Sequence, residues 1–191
     1  MEACRLSADD LACRRGDRVL FARLSMSLAP GDALQIAGAN GIGKSSLIRI
    51  LAGLARPFEG SVTRQGMAGL LDERLSLDND LPLGKALSFW SKLDGTDAPV
   101  QQLGLSGLGD VPVRYLSTGQ RKRASLARLI GQQAPIWLLD EPLNGLDRQA
   151  VTLCEELVAQ HCKAGGIAVI ASHQNFGLAD MAVLDLAEFA L

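Results

Sequence analysis

"ALQIAGANGIGKSSLIRILAGL", residues 33–54, decides the fold of this chain. An apolar strand pattern passes into a glycine-rich loop and then into an amphipathic helix. The apolar residues predicted to share one buried face of that helix are Leu47, Ile50, Leu51 and Leu54. Gly53 and Pro57 mark the end of the helix. This order of strand, loop and helix predicts a phosphate-binding unit in an α/β fold.

The loop "GANGIGKS" (38–45) fits the pattern G-x-x-x-x-G-K-[ST]. Its glycines let backbone N–H groups turn inward around phosphates, and the helix start adds a positive dipole end. We expect Lys44 to reach the β- and γ-phosphates, Ser45 to ligate Mg²⁺ and Ser46 to make a weaker phosphate contact. The predicted phosphate-binding residues are Gly38, Ala39, Asn40, Gly41, Ile42, Gly43, Lys44, Ser45 and Ser46.

Two later apolar runs end in polar residues. "IWLLDE" (136–141) is typical of a buried parallel strand and ends in Asp140 and Glu141. We expect Asp140 to hold Mg²⁺ through water and Glu141 to polarise a water for attack on the γ-phosphate. "IAVIASH" (167–173) predicts a neighbouring strand, and His173 at its carboxyl end is predicted to orient that water. His161, in a polar helix pattern, is interpreted as structural.

Strands and helices alternate at both ends of the chain, with an amphipathic helical stretch between them. This pattern predicts an α/β fold with a mainly parallel sheet, preceded by an N-terminal antiparallel β part. We expect one domain over residues 1–191, with a helical insertion at roughly 75–133. The predicted helices of the insertion are "PLGKALSFWSKL" and "QRKRASLARLIGQQ".

Composition and charge exclude several classes of protein. The chain has 191 residues, 48% of them hydrophobic, which is typical of a folded globular protein. The net charge of −2 argues against binding to nucleic acid, which favours a basic surplus. We expect neither a signal peptide nor a membrane span. The four cysteines fit no zinc spacing and are interpreted as reduced packing or surface thiols.

"LSTGQ" (116–120) is a polar turn at a helix start, where Ser117 and Gly119 offer donors to a second anion. The order of phosphate loop, "LSTGQ", "LLDE" and a histidine after the next strand resembles the ATP-binding cassette (ABC) ATPases. "LSTGQ" resembles the family signature LSGGQ. "LNGLD" (143–147) resembles its D-loop, with Asp147.

The resemblance implies a P-loop NTPase core that binds ATP and Mg²⁺ and hydrolyses ATP. It also implies that Ser117, Gly119 and Gln120 cap the γ-phosphate of ATP held by a second copy, in a head-to-tail dimer. The basic residues that follow, Arg121 to Arg123, are interpreted as a solvated helix face.

Two positions depart from the family pattern. The family usually has a glutamine before the helical insertion, where this chain has "GLLDERLSLDND" with Glu73 or Arg74 near the position. The family often stacks an aromatic ring on adenine, where this chain has Arg15, with Phe21 as the alternative. A guanidinium plane can also stack on a base.

"VPVRYLSTGQRKRASLARL" (111–129) and "SHQ" (172–174) resemble one branch of the family, the ATPase subunits of haem exporters in cytochrome c biogenesis. This resemblance implies an integral membrane subunit, and a peripheral place at the cytoplasmic face of the bacterial inner membrane without direct insertion. The predicted docking region is 72–93, with Leu75, Leu77, Phe89 and Trp90 as candidate contacts. For Phe89 and Trp90, packing within the insertion is the competing interpretation.

Three other functions stay open at this point. The chain could serve another cargo, such as a lipid, a drug or a metal. A soluble ABC ATPase that acts on DNA or ribosomes is disfavoured by the short insertion and the absence of a basic surplus. The missing glutamine leaves open a nucleotide-binding module that barely hydrolyses ATP.

Overall fold

The computed structural model describes residues 4–74 and 76–191. These residues contain eight strands, four α-helices and two short 3₁₀ helices, at Val113–Tyr115 and Leu186–Phe189. In chain order the main elements are β1 (Arg5–Arg15), β2 (Arg18–Leu28), β3 (Ala33–Ala37), α1 (Lys44–Leu51), β4 (Glu59–Gln65), β5 (Ala68–Leu71), α2 (Leu83–Asp94), α3 (Thr118–Gly131), β6 (Ile136–Asp140), α4 (Arg148–Lys163), β7 (Ile167–Ala171) and β8 (Ala182–Asp185).

The larger sheet has the strand order β5-β6-β7-β3-β8, and each of its four pairings is parallel. Strands β6 and β7 are buried at every residue, because both faces of the sheet are covered. The prediction of an α/β fold with a mainly parallel sheet is confirmed. The carboxyl ends of β3, β6 and β7 meet at one edge, where α1 begins.

Alternate residues of the central strands enter two separate cores. Ile136 and Leu138 of β6 pack with α1 and the N-terminal strands, whereas Trp137 and Leu139 pack under α2, α3 and α4. The parallel sheet is therefore the middle layer, and it fixes the helical segment on one side and the phosphate loop on the other.

The smaller sheet has the order β2-β1-β4, with antiparallel pairings. It confirms the predicted N-terminal antiparallel β part. The turn between β1 and β2 connects Arg15 to Arg18, which form the last pair of the two strands. The residues of β4 are exposed or half-buried throughout, so the sequence carried no apolar pattern for this strand.

Helices α2 and α3 occupy the stretch between β5 and β6, and the described residues of that stretch contain no strand. Trp90 on α2 joins the two helices, because the Arg128 guanidinium lies 4.0 Å from the centre of its ring. Arg128 also pairs with Asp94 at 2.7 Å. In the residues that the structure describes, no helix combines the length and the apolar composition needed to cross a bilayer.

One detail of the packing differs from the sequence-based expectation, and a second selects between two alternatives. Leu54 was predicted on the buried face of α1, but the helix ends at Leu51 and Leu54 is 59% exposed. Gly53 turns the chain away there with a φ of 76°. The four cysteines are all buried and free, which makes them packing residues. Burial raises the pKa of Cys154 to about 12.

Candidate active site

The loop between β3 and α1 depends on three glycines. Gly38, Gly41 and Gly43 have φ values of 134°, 81° and 122°, a region that side-chain-bearing residues rarely adopt. A Cβ on Gly43 would also lie 3.2 Å from the ring of Phe21. The backbone path of the loop therefore requires glycine at these positions.

Helix α1 starts without a cap of its own. Its first residue is Lys44, the preceding Gly43 offers no side-chain acceptor, and the first turn contains no acid. The first backbone N–H groups and the positive dipole end are thus left for an external anion. They face a cavity of about 330 Å³ lined by Arg15, Leu20, Asn40, Gly41, Gly43, Lys44, Ser45, Ser46, Glu73, Glu141, Asn144 and His173.

The Lys44 ammonium lies folded over the loop and is only 6% exposed. Its Nζ donates to the carbonyl oxygens of Gly38 at 2.8 Å and Ala39 at 3.2 Å, and it lies 3.9 Å from Glu141 Oε1. A buried cation needs such oxygen partners. Phosphate oxygens within the loop would be stronger partners for the same group.

Ser45 and Asp140 place two oxygen ligands side by side. Ser45 Oγ donates to Asp140 Oδ1 at 3.0 Å. Burial raises the pKa of Asp140, and the negative charge of Glu141 raises it further, while the Ser45 hydrogen bond lowers it. A buried carboxylate beside a hydroxyl, under an excess of negative charge, fits a hard divalent cation such as Mg²⁺.

Glu141 is held in an unusual backbone conformation, with a φ of 47°. Its N–H donates to Ala171 O at 2.8 Å, and its carbonyl oxygen accepts from Lys122 Nζ at 3.0 Å. Its carboxylate Oε2 lies 3.0 Å from His173 Nδ1. The structure thus brings the two predicted catalytic side chains, Glu141 and His173, into contact at the cavity.

Of the two candidates for stacking on a base, only one reaches the cavity. Phe21 is fully buried in the core and cannot stack on a ligand. Arg15 is exposed and lines the cavity at the turn between β1 and β2. Similarly, of the two residues predicted near the glutamine position, Glu73 lines the cavity and Arg74 does not. Leu20 and Asn144 also line it and were not predicted.

The residues of the "LSTGQ" stretch lie outside this cavity. Ser117 caps α3 in a reciprocal box, in which its Oγ accepts from Gln120 N at 3.2 Å and Gln120 Oε1 accepts from Ser117 N at 2.8 Å. A Cβ on Gly119 would lie 3.3 Å from the carbonyl oxygen of Gly145. Asp147 is the cap of α4, accepting from Ala150 N at 2.8 Å.

The interpretation of residues 121–123 as a solvated face is wrong. All three side chains are half-buried and donate to backbone carbonyl oxygens of other segments. Arg121 donates to Arg114 O, Lys122 to Glu141 O and Arg123 to Leu103 O. Segments that precede α3 in the sequence and a segment that follows it contact this part of the helix. A local charge pattern cannot reveal such tertiary contacts.

His161 is a structural group, as predicted, although it faces inward. Its ring stacks on Trp137 with centroids 3.9 Å apart, and Nε2 lies 3.3 Å from Ile167 O. Burial lowers the pKa of His161. The larger groove that it lines with Trp137 contains none of the predicted catalytic residues.

The candidate docking contacts separate into different groups. Leu75 lies outside the described residues, and Leu77 is 4% exposed, so its predicted contact with a partner is wrong. Trp90 is half-buried and donates from Nε1 to Ser76 O at 2.8 Å, in agreement with packing inside the insertion. Phe89 is 61% exposed and contacts only the edge of that indole among the aromatic rings described.

Known proteins resemble the chain over nearly its full length. The family model described as ABC transporter matches residues 21–144. The "Cytochrome c biogenesis ATP-binding export protein CcmA" of Novosphingobium aromaticivorans is 56% identical, with 99% of each chain covered. The protein of the same name from Zymomonas mobilis is 49% identical over 97% of this chain and 86% of its own.

Solved structures share the fold. A putative ABC transporter ATP-binding protein from Pyrococcus furiosus superposes with a TM-score of 0.82, covering 98% of this chain and 100% of its own at 21% identity. The likeness shows that this protein and the chain share one fold over nearly their full lengths.

Proposed function

This chain belongs to the ABC transporter family and, within it, to the CcmA proteins, and from this we propose that it powers a membrane export complex of c-type cytochrome biogenesis. ABC ATPases bind ATP and couple its hydrolysis to transport. The observation that carries the proposal is one cavity that combines an uncapped glycine-loop helix with Lys44, Glu141 and His173.

ATP fits the loop through its phosphates. Backbone N–H groups of the loop would hold the β- and γ-phosphates, and Lys44 would exchange its carbonyl contacts for phosphate oxygens. Ser46 would add a weaker contact. The proposed loop contacts are Gly38, Ala39, Asn40, Gly41, Ile42 and Gly43. Arg15 at the cavity mouth would stack on the base.

Ser45 and Asp140 are the residues that would hold Mg²⁺, whose role would be to neutralise the charge that develops on the phosphate oxygens. Glu141 would take the proton of a water as its oxygen bonds to the γ-phosphorus and the bond to the β–γ bridging oxygen breaks. His173, in contact with the Glu141 carboxylate, would orient that water.

A second copy would complete the site. Ser117 Oγ accepts a hydrogen bond from Gln120 N, so its own O–H remains available to donate to a γ-phosphate. Gly119 N–H would donate beside it, and Gln120 would hold Ser117 in place. Because these groups lie outside the cavity of their own chain, we expect two copies to form a head-to-tail dimer around ATP.

The proposed transport partner is an integral membrane subunit of the CcmB type, and the chain would sit peripherally at the cytoplasmic face of the bacterial inner membrane. The exposed Phe89 ring on α2 is the apolar group offered for docking. Since c-type cytochromes carry covalently attached haem, haem is the proposed cargo. A lipid, drug or metal cargo would require the same ATPase.

A pull-down from solubilised membranes tests this assignment. The chain is tagged, and bound proteins are identified by mass spectrometry, with Phe89→Asp as the docking variant and Lys92→Asp on the same helix as control. We expect a small multi-span protein and cytochrome c assembly factors, reduced by Phe89→Asp alone. Recovery of an unrelated transporter, or of no membrane protein, would contradict the proposed role.

A phosphate-release assay tests the catalytic assignment separately. Glu141→Gln is expected to lower turnover by about a hundredfold or more, while ATP affinity stays within a few-fold. Unchanged turnover would show that another group takes the proton.

A further inference from the structure

A lysine of the "LSTGQ" helix contacts the residue proposed as the catalytic base. Lys122 lies in the first half of α3, and its Nζ donates to the Glu141 carbonyl oxygen at 3.0 Å. The contact joins the helical segment to the carboxyl end of β6, where the nucleotide cavity lies. No other side-chain hydrogen bond of the described residues joins α3 to Glu141.

The Glu141 carbonyl is a sensitive place for such a contact. Its residue has a φ of 47°, so the backbone is held by its partners and not by its own preference. Ala171 O accepts the Glu141 N–H at 2.8 Å, while the Glu141 carbonyl oxygen accepts from Lys122 Nζ at 3.0 Å and, at the longer distance of 3.4 Å, from Asn144 N. The direction of this peptide determines where the carboxylate points, toward His173 and Lys44.

Lys122 is not an ordinary surface lysine. Its side chain is half-buried, and none of the ion pairs among the described residues includes it. Burial lowers its pKa, although the carboxylates of Glu73 and Asp140 favour its charged form. Burying an ammonium is costly without hydrogen-bond partners, so the Lys122 side chain depends on its bond to the Glu141 carbonyl oxygen.

The same helix carries the group proposed to contact ATP of the second copy. Ser117 and Lys122 are five residues apart, which is about 7.5 Å along a helix. The reciprocal cap between Ser117 and Gln120 makes this first turn stiff. A small movement of the helix start would therefore be transmitted to the Lys122 ammonium and to the Glu141 peptide.

We propose that Lys122 is a positioning residue that links the contact of Ser117 with the partner copy's nucleotide to the orientation of the Glu141 carboxylate. The inference rests on the proposed function, because it assigns a residue that regulates that same site. It predicts that ATP binding and turnover respond differently to loss of the Lys122 donor.

The test compares Lys122→Met and Lys122→Ala, which lack the donor, with Lys122→Arg, which keeps it. Lys163→Met, at an exposed lysine in the last turn of α4, is the control. Both donor-less variants are expected to lose about tenfold in kcat with KM within about twofold, and Lys122→Arg to recover most of the loss. The cooperativity of ATP hydrolysis is expected to fall with kcat.

Thermal unfolding of each variant separates positioning from simple stability. A donor-less variant that folds like the wild type but keeps full kcat and cooperativity would overturn the inference. So would a loss that Lys122→Arg does not restore, or that affects kcat and KM together with the melting temperature. A wild-type chain without ATP turnover would overturn the proposed function itself, which the same assay records first.

Discussion

Helices α1 and α3 both begin at a candidate anion site, but only α3 has a side-chain cap at its first turn. The start of α1 follows Gly43 and has no side-chain cap, whereas Ser117 and Gln120 cap α3 reciprocally. Among the described residues no side chain accepts from the first N–H groups of α1, whereas in α3 the Gln120 N–H is already bonded to Ser117 and the Gly119 N–H stays available. The start of α1 therefore needs a bound anion to satisfy its donors, whereas the start of α3 is held in shape by its own cap before any ligand binds.

Their surroundings differ in the same sense. Near the start of α1 lie the Lys44 ammonium, the Ser45 hydroxyl bonded to Asp140, and Glu141 in contact with His173. The start of α3 offers two neutral donors, the Ser117 hydroxyl and the Gly119 N–H, because the Arg121 guanidinium already donates to Arg114 O. A set of neutral donors suits a phosphate whose charge is already balanced elsewhere. This fits capping of a nucleotide that another copy holds.

The largest expected effect is at α1. Lys44→Ala removes the only lysine among the residues that line the described cavity, and ATP affinity should fall by about a hundredfold, because a charged hydrogen bond to phosphate is lost. Titration calorimetry with ATP measures the loss, and Lys163→Ala, on the exposed end of α4, is the control. Equal affinity in Lys44→Ala would remove the basis for the phosphate-loop assignment.

An intermediate effect is expected at the α3 cap. Gln120→Ala breaks one half of the reciprocal cap and should lower the free energy of unfolding by about 0.5 to 1 kcal/mol, with ATP affinity of the monomer unchanged. Urea unfolding measures the first quantity. Gln149→Ala, an exposed glutamine in the first turn of α4, is the control. A loss of monomer affinity would contradict the separation of the two helix starts.

At neutral pH, the smallest expected effect lies in neither helix start. Burial lowers the pKa of His161 from the usual 6.5. As the pH falls, the imidazole therefore binds a proton in the unfolded chain before it does so in the folded chain. The free energy of unfolding should thus fall as pH drops below about 6.5, by at most about 1.4 kcal/mol per pH unit.

The His161→Gln variant should lose this pH dependence. The control is His173→Gln, because the side chain of His173 is 41% exposed. Unfolding curves from pH 5 to 7 decide the matter. If the pH dependence of the free energy of unfolding survives in His161→Gln and disappears in His173→Gln, it comes from His173 and the prediction is wrong.

The same contrast explains how far the sequence could be interpreted. The phosphate loop, β6 and β7 were predictable because glycine spacing and fully apolar runs are local signals. Strand β4 was not, because its residues face solvent and it exists only through pairing with β1. The end of α1 at Leu51 depended on a left-handed Gly53, which moved Leu54 out of the core.

Within the site, residue type and order predicted Lys44, Ser45, Asp140, Glu141 and His173. Contacts from distant segments were not predictable. Lys122 looked like part of a charged surface because its partner is a backbone carbonyl, which leaves no trace in the sequence. Leu77 was likewise predicted as an exposed contact for a partner, but it is buried in the core.

The most direct test of the central claim is to mix two variants that should each fail alone. Both chains carry Glu141→Gln. One chain also carries Lys44→Ala, which disables its phosphate loop, and the other also carries Ser117→Arg, which blocks the start of its α3. Sedimentation velocity with ATP and Mg²⁺ should show monomers for each variant alone. The mixture should form dimers, since one composite site keeps an intact Lys44 and an intact Ser117. If the mixture stays monomeric, or if Ser117→Arg dimerises alone, the two helix starts do not share one nucleotide.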